Sequence, residues 1–535
     1  MNRKYIIALF FPALLSFIGC EDNLDTKPDG DIVTSEQKEE VVANDPKKAE
    51  ASVNAVFAQF SQYMPNYDAF GDVERHNDFG YPSIMLFTDA NGYDVISDDN
   101  GYNWTGNSLE FSDRVYTSYE SQMVWNDMYA IIRATNNVIG AISSDTEDAT
   151  SKFYLAQGLA TRAFSYWVLA QLYQFNYVGN ETEPCVPIIT PENIDIAAID
   201  GVRRSTVKEV YDLINSDLNT AIGLLEDAES EGVTRADKRY ISLAVAYGLR
   251  ARVNLTMQKW SEAAQDAQSA IDHSEATPAS IDDVSKPAFW SADESNWMWG
   301  IIIAETDRVV TSGIVNWISH MGSLNYGYAW YSKGKQINKI LYESINSSDI
   351  RKGWWLDENS TSANLTDEAQ AVIDKYSFAP YTQVKFAPYK EEVATSTNAN
   401  DIPLMRIEEM YLILAEAQAM SGGDGATTLE NFIKEYRDPD YVCEASSPEE
   451  IQKEVFRHRR IELWGEGLNW FDVMRLKTGV DRRGAGYPNA TMVFNIAPDD
   501  PILLWRIPEA EIQANPGLTD GDNNPATPLP TPVEE

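Results

Sequence analysis

The sequence predicts a mainly α-helical protein: a tetratricopeptide-like helical-repeat core forming an α/α superhelix, with an irregular loop-rich second half carrying short strands. Three observations predict it. Apolar residues recur at three- and four-residue steps over long stretches. Small-residue stripes mark places where antiparallel helices can cross closely: Ala156, Ala160 and Ala163; Ala251, Ala263, Ala267 and Ala270; Ala415, Ala417 and Ala419. Finally, 535 residues are too many for one simple core, which leaves two domains or a repeat-built body.

In chain order, Asn2, Arg3 and Lys4 precede an apolar run from Tyr5 to Phe17, and Ile18, Gly19 and Cys20 follow. A basic start, a short apolar run and a small residue before the cut predict a signal peptide over residues 1–19, and Phe17-Ile18-Gly19-Cys20 resembles a lipoprotein lipobox with Phe17 in place of the usual Leu. The run is shorter than the ~20 residues that span a bilayer. Cys20 sits where a bacterial lipoprotein carries its acylated cysteine, and several acyl chains anchor durably where one is marginal. A plain secretory signal with an incidental cysteine is the competing reading. Residues 20–45 form the lipidated N-terminus and tether. Residues 46–519 form a single unit, with helical repeats mainly at 46–64, 113–273 and 404–465. Its loop-rich regions are 65–112 and 275–403. Trp297 and Trp299 alternate into Gly300 and Ile301 as a core strand. Residues 520–535 read as a disordered acidic tail.

Composition removes several functions. A net charge of −40 argues against nucleic acid, whose phosphates need a basic face, and against docking on anionic lipid. Three cysteines cannot build a disulfide scaffold. Besides Cys20 there are Cys185 and Cys443, which either pair or stay as buried thiols.

Five segments carry a resemblance. They are Gln157–Tyr173 (QGLATRAFSYWVLAQLY), Arg204–Tyr211 (RSTVKEVY), Arg406–Ala417 (RIEEMYLILAEA), Arg457–Arg475 (RHRRIELWGEGLNWFDVMR) and Trp505–Pro516 (WRIPEAEIQANP). In this order they resemble the SusD/RagB family of outer-membrane nutrient-binding lipoproteins from about Cys20 to Leu518. Gly465 and Leu468 depart from the family's usual Phe and His or Arg. Glu21-Asp22 resembles the acidic tag of surface-exported lipoproteins in the Bacteroidetes. The resemblance implies about eight tetratricopeptide helices and a lipid-anchored protein at the outer-membrane surface, attached through Cys20. It also implies capture of an oligosaccharide or polysaccharide over a SusC-like TonB-dependent transporter barrel. The protein would act as a lid, with no bond broken.

A glycan platform needs exposed Trp and Tyr rings for sugar C–H faces, beside amides and carboxylates for hydroxyls. Two loops supply this chemistry, and the candidate ligand residues are Tyr102, Asn103, Trp104, Tyr326, Tyr328 and Trp330. The competing reading of each ring is core packing. Trp354 and Trp355 are second-tier candidates.

The alternatives are a peptide-binding lid of the same kind, a glycoside hydrolase, and a repeat adaptor that binds only protein. A hydrolase needs a carboxyl pair at fixed separation, and 82 acidic residues make candidate pairs uninformative. The four histidines show no metal-ligand spacing, and there is no G-x-S-x-G elbow, P-loop or dinucleotide fingerprint. Arg459, Arg460, Glu462, Asp472 and Arg475 fall among aromatics, which predicts a structural ion-pair network ahead of a catalytic cluster. No cofactor is expected. Calcium on Asp89–Asp99 lacks the EF-hand ligand order, so a solvated acidic face is expected there.

Overall fold

The computed structural model describes residues 45–65, 70–71, 73–98, 102 and 104–534. The signal peptide, Cys20, most of the tether and Asn103 lie outside the described residues.

Local sequence starts most of the principal helices. α1 (Ala49–Gln59) buries Val53, Val56 and Phe57 on one face, as its period predicts. α2 (Tyr81–Asn91) is buried on every side. Ser118 and Asp148 cap α3 (Tyr119–Ile139) and α4 (Ala149–Tyr173) by accepting the amides of Ser121 and Ser151. Thr206 and Glu209 form a capping box at the start of α5 (Val207–Ser230). Ser242 caps α6 (Leu243–Thr256), which pairs with α7 (Trp260–Asp272). After α8 (Asp367–Tyr376), the chain returns to helix in α9 (Ile407–Met420), α10 (Gly425–Tyr436), α11 (Pro448–Glu462) and α12 (Asn469–Leu476).

Eight of these helices, α3 to α7 and α9 to α11, pack each on the next as an α/α superhelix, and α7 meets α9 across the inserted residues 273–406. The small-residue stripes lie in these contacts: Ala156, Ala160, Ala163, Ala251, Ala263, Ala267 and Ala270 are fully buried. A Cβ at Gly158 would stand 3.1 Å from Val138 and Ile139, so α4 lies against α3 at backbone range. There Arg162 bolts three helices together, with two 2.8 Å hydrogen bonds to Asp217 on α5 and one of 2.9 Å to Asn136 on α3.

Among the described residues, three two-stranded antiparallel sheets complete the body. β1 (Val95–Ile96) pairs with β3 (Gln336–Ile337), β2 (Trp297–Ile301) with β4 (Ile402–Arg406), and β5 (Val480–Asp481) with β6 (Asn495–Ile496). β2 is buried along its whole length, as expected of a core strand.

β4 delivers Arg406 into a buried lattice of charges. Arg406 donates to Glu462 at 3.1 Å and to both Glu466 oxygens at 2.8 and 3.0 Å. Arg437 grips Glu462 with two further hydrogen bonds and reaches Glu408 at 3.0 Å. Arg351 joins Asp349 to Glu462, and Lys385 donates to Glu466 at 2.6 Å. The lattice therefore contains four cations and four anions, and the guanidinium groups around Glu462 hold its carboxyl well below the usual range. Beside it, Arg459 and Arg475 share Asp472, and Arg475 also holds Glu416. The structural reading of these charges is the one their geometry fits: each is turned inward onto a partner.

Five expectations need correction. The stretch 65–112 contains α2, whose eleven residues are all buried, so it has no polar face to produce a helical period. The stretch 275–403 contains α8. The acidic face at Asp89–Asp99 is not solvated throughout. Asp89 is buried on α2, and buried Asp94 takes Arg460 through hydrogen bonds of 2.6 and 2.8 Å. The tail from Asp520 folds back. Asn524 donates to the carbonyls of Tyr173 and Trp505, and the Val533 amide donates to Val493. Trp354 and Trp355 are core rings, each 1% exposed, so neither meets a ligand. Cys185 and Cys443 are both free. Among the described residues no helix is long and apolar enough to cross a membrane, and no group of three or more His, Cys, Asp or Glu is arranged to hold a metal.

Two measurements check this account. Arg406→Ala leaves Glu462 and Glu466 short of a buried counter-charge, and the expected cost is about 3–5 kcal/mol in denaturant unfolding. Burial pushes the Asp89 carboxyl up to about 8. Between the unfolded value and that pH the native state holds the extra proton, so this group's contribution to stability falls as pH rises, by about 1.4 kcal/mol per unit. Asp89→Asn removes that slope. Its Tm relative to the unmutated chain is expected to rise from pH 5 to pH 8, and a constant difference would refute the assignment.

Candidate functional site

The β1–β3 ladder is two residues deep, with Val95 opposite Ile337 and Ile96 opposite Gln336. It nevertheless joins two loops more than two hundred residues apart in sequence. The chain leaving β1 runs toward Tyr102 and Trp104, and the chain entering β3 comes from Tyr326–Tyr331. Lys335 Nζ adds a 3.4 Å hydrogen bond to Thr105 across the junction. The base of the ladder is fixed to the core, because the Asp94 carbonyl accepts from the Trp464 indole at 2.7 Å and from the Asn338 amide at 3.1 Å.

The ladder brings both sets of predicted rings to one place. Tyr102 lies 5.6 Å from Tyr331 at an interplanar angle of 33°, and Tyr331 lies 6.4 Å from Tyr326 at 85°. These three rings are 53%, 47% and 37% exposed, so they form an open aromatic row. Trp104 is half-buried. Its ring lies 6.2 Å from Tyr328, and the Arg75 guanidinium sits 5.6 Å from its centroid. Arg75 also covers Tyr119 at 4.6 Å and pairs with buried Glu120 at 2.9 Å. Tyr119 is 36% exposed and continues the surface on the Arg75 side.

Two of the predicted rings face inward. Trp330 is buried, stacks on Tyr376 of α8 at 4.1 Å, and donates its indole N–H to the Ser323 carbonyl at 2.9 Å. Tyr328 is buried, stacks on His320 at 4.8 Å, and is hydrogen-bonded to His76 Nδ1. Burial pushes the Tyr328 phenol up to about 12, so it stays neutral and free to donate. Residues 328–332 form one helical turn packed on most sides, with Tyr328, Ala329, Trp330 and Ser332 buried and Tyr331 exposed. Gly327 permits that turn to rest on the preceding helix, since a Cβ there would stand 2.6 Å from the Ser319 backbone.

Sequence reasoning left out Tyr331, Tyr119, Arg75 and His76. Tyr331 closes the aromatic run that drew attention to this loop, but by helical spacing it shares a face with buried Tyr328, so periodicity does not separate the two. Arg75 and His76 stand in a stretch with no period, and nothing in the sequence places them beside Trp104.

Comparison with known proteins bears on the whole arrangement. A family model described as the SusD family matches residues 314–526. A second, described as starch-binding associating with outer membrane, matches residues 76–255. The chain is SusD/RagB-like. Both aromatic loops lie inside the matched segments. Among SusD relatives, SusD-like protein P2 of Formosa agariphila is 25% identical, over 98% of this chain and 99% of that protein. SusD-like protein P38 of the same organism is 23% identical, over 67% of this chain and 73% of its own length. The fold is shared with a SusD-like carbohydrate binding protein from Bacteroides vulgatus, at a TM-score of 0.72 and 22% identity, covering 90% of this chain and 98% of that one. A SusD superfamily protein from Bacteroides thetaiotaomicron gives 0.68 at 20% identity, covering 90% and 99%.

The inward and outward rings are separable by stability. Trp330→Ala is expected to cost about 3–5 kcal/mol, as a large core ring does. Tyr331→Ala is expected to stay within about 0.5 kcal/mol of the unmutated chain. Equal losses in the two variants would place Tyr331 in the core.

Proposed function

We propose that the protein is a lipid-anchored cell-surface SusD-like protein that binds oligosaccharide or polysaccharide on the Tyr102–Tyr331–Tyr326 row, with Trp104 at its edge. It hands the ligand to a SusC-like TonB-dependent barrel as a lid, without catalysis. The observation that carries this reading is the row itself. Three exposed tyrosine rings from two distant loops are held on one surface, next to a guanidinium and a partly open indole. Sugar C–H faces stack on such rings, and their hydroxyls accept from Arg75 and neighbouring amides. The description of the family model that spans residues 76–255, and the carbohydrate-binding relative from Bacteroides vulgatus, support the same ligand class. Anchoring through Cys20 and partnership with a barrel rest on the signal-peptide pattern and on likeness to the SusD family. Glu120, the carboxylate reached through Arg75, is engaged by Arg75 and Asn107 at 2.9 Å each, which favours a positioning role over acid–base work.

The test is calorimetric titration of the full chain with neutral and acidic polysaccharides, starch among them, alongside an assay for new reducing ends. Saturable binding without new ends is expected. Tyr102→Ala, Tyr331→Ala and Trp104→Ala are each expected to weaken it about three- to tenfold, from the ~0.5–1.5 kcal/mol of one ring contact. Release of reducing ends, or unchanged affinity in all three variants, would overturn the proposal.

A further inference from the structure

Trp104 has an unusual hold. It is a non-glycine residue with φ +55°, in the left-handed region that large side chains avoid, and such conformations persist only where the surroundings impose them. Three consecutive residues do the imposing. Asn77 donates its side-chain amide to the Trp104 carbonyl at 2.8 Å. The His76 imidazole lies against the indole with centroids 4.8 Å apart at 32°. Arg75 lies 5.6 Å from the ring centroid. The fourth hold comes from the other loop: the Trp104 indole N–H donates to the Tyr328 hydroxyl. That hydroxyl is in turn hydrogen-bonded to His76 Nδ1. Beneath the relay, His320 stacks on Tyr328 and its Nε2 lies 3.0 Å from the His76 carbonyl oxygen.

From this geometry we infer that His76 is a positioning residue for Trp104, and that its protonation releases the indole and weakens ligand binding. This rests on the glycan-platform reading above. With His76 neutral, Nδ1 accepts the Tyr328 hydroxyl proton, and the phenol oxygen is left to accept the indole N–H. Each donor then has one acceptor. When Nδ1 takes a proton it becomes a donor aimed at the same oxygen. The phenol O–H loses its acceptor, and the indole N–H competes for one oxygen. The charged and titratable groups around His76 are Glu74 and Arg75 from its own loop and the phenol of Tyr328 from the second loop. His320 meets the relay from below. Burial holds the His76 imidazole below its ordinary value, so the neutral relay is intact at pH 7 and is lost only in acid. Asp78, two residues on, is buried and has no hydrogen-bond partner on either carboxylate oxygen. Burial raises its carboxyl to about 7, so it must be separated experimentally from His76.

The test follows the indole directly. The full chain is labelled with 5-fluorotryptophan, and the Trp104 fluorine resonance is assigned by its disappearance in Trp104→Phe. From pH 8 to pH 5 that resonance is expected to shift with a single inflection below about 6.5. The inflection is expected to persist in Asp78→Asn, to vanish in His76→Gln, whose carbonyl accepts the Tyr328 proton without titrating, and to shrink in Tyr328→Phe, where His76 still lies on the indole but the relay is cut. A resonance that does not move with pH, one that still titrates in His76→Gln, or one that stops titrating in Asp78→Asn would overturn the proposal. On a polysaccharide that binds in the calorimetric panel, affinity is expected to drop about tenfold from pH 7.5 to pH 5, the worth of one hydrogen bond. His76→Gln is expected to lose less than twofold over the same interval. If no polysaccharide binds, the glycan reading fails while the fluorine titration still decides the relay.

Discussion

Glu462 is the point on which the rest of the structure hangs. One carboxylate at the end of α11 receives Arg406 from β4, Arg437 from just after α10, and Arg351 from the inserted half. Removing two ions from water costs several kcal/mol each, and attraction between them offsets that only when partners are complete. Here four anions face four cations, and Lys385 also donates to the carbonyls of Glu462 and Trp464 at 2.9 Å. Such a lattice contributes less to net stability than to register. It forms only when the repeat core and the insertion meet in one way. The aromatic row inherits its position from this constraint, because Arg460, two residues before Glu462, holds Asp94 at the foot of β1.

Much of the fold was legible in the sequence because amphipathic helices advertise themselves. The Val53–Phe57 spacing, the alanine stripes and the Thr206–Glu209 cap each encode a local interaction that needs no tertiary knowledge. α2 was invisible for the opposite reason. Buried on all faces, it carries no alternation of polar and apolar residues, and its Asn-, Asp- and Gly-rich flanks look like loop. The tail misled through composition. Its acidic and proline content matches disorder, but Asn524 satisfies two buried carbonyls that would otherwise lack donors.

The candidate site was legible to the level of the loop and not of the ring. Aromatic density marked both segments, and strand pairing from β1 to β3 brought them together. Which ring faces solvent depends on what packs around the turn at 328–332, where Trp330 is stacked on Tyr376 and Tyr331 is left exposed. The departure from the family's usual residue at Gly465 has a similarly local cause. That position has φ +76°, and a Cβ would stand 2.8 Å from Met321 and 3.0 Å from Phe386. The substitution keeps the α11 end tightly against the insertion, whereas Leu468 simply joins the core.

The shallow ladder between β1 and β3 carries one more consequence. Two residue pairs make few backbone hydrogen bonds, so opening them takes far less free energy than unfolding the helices behind them. The two loops are therefore joined to each other far more lightly than the helices are. Their separation is set by that ladder together with side-chain contacts that cross it, Lys335 to Thr105 and Tyr328 to His76 and Trp104. Changing the spacing between the rings therefore costs side-chain hydrogen bonds at the surface while leaving the helices behind them untouched.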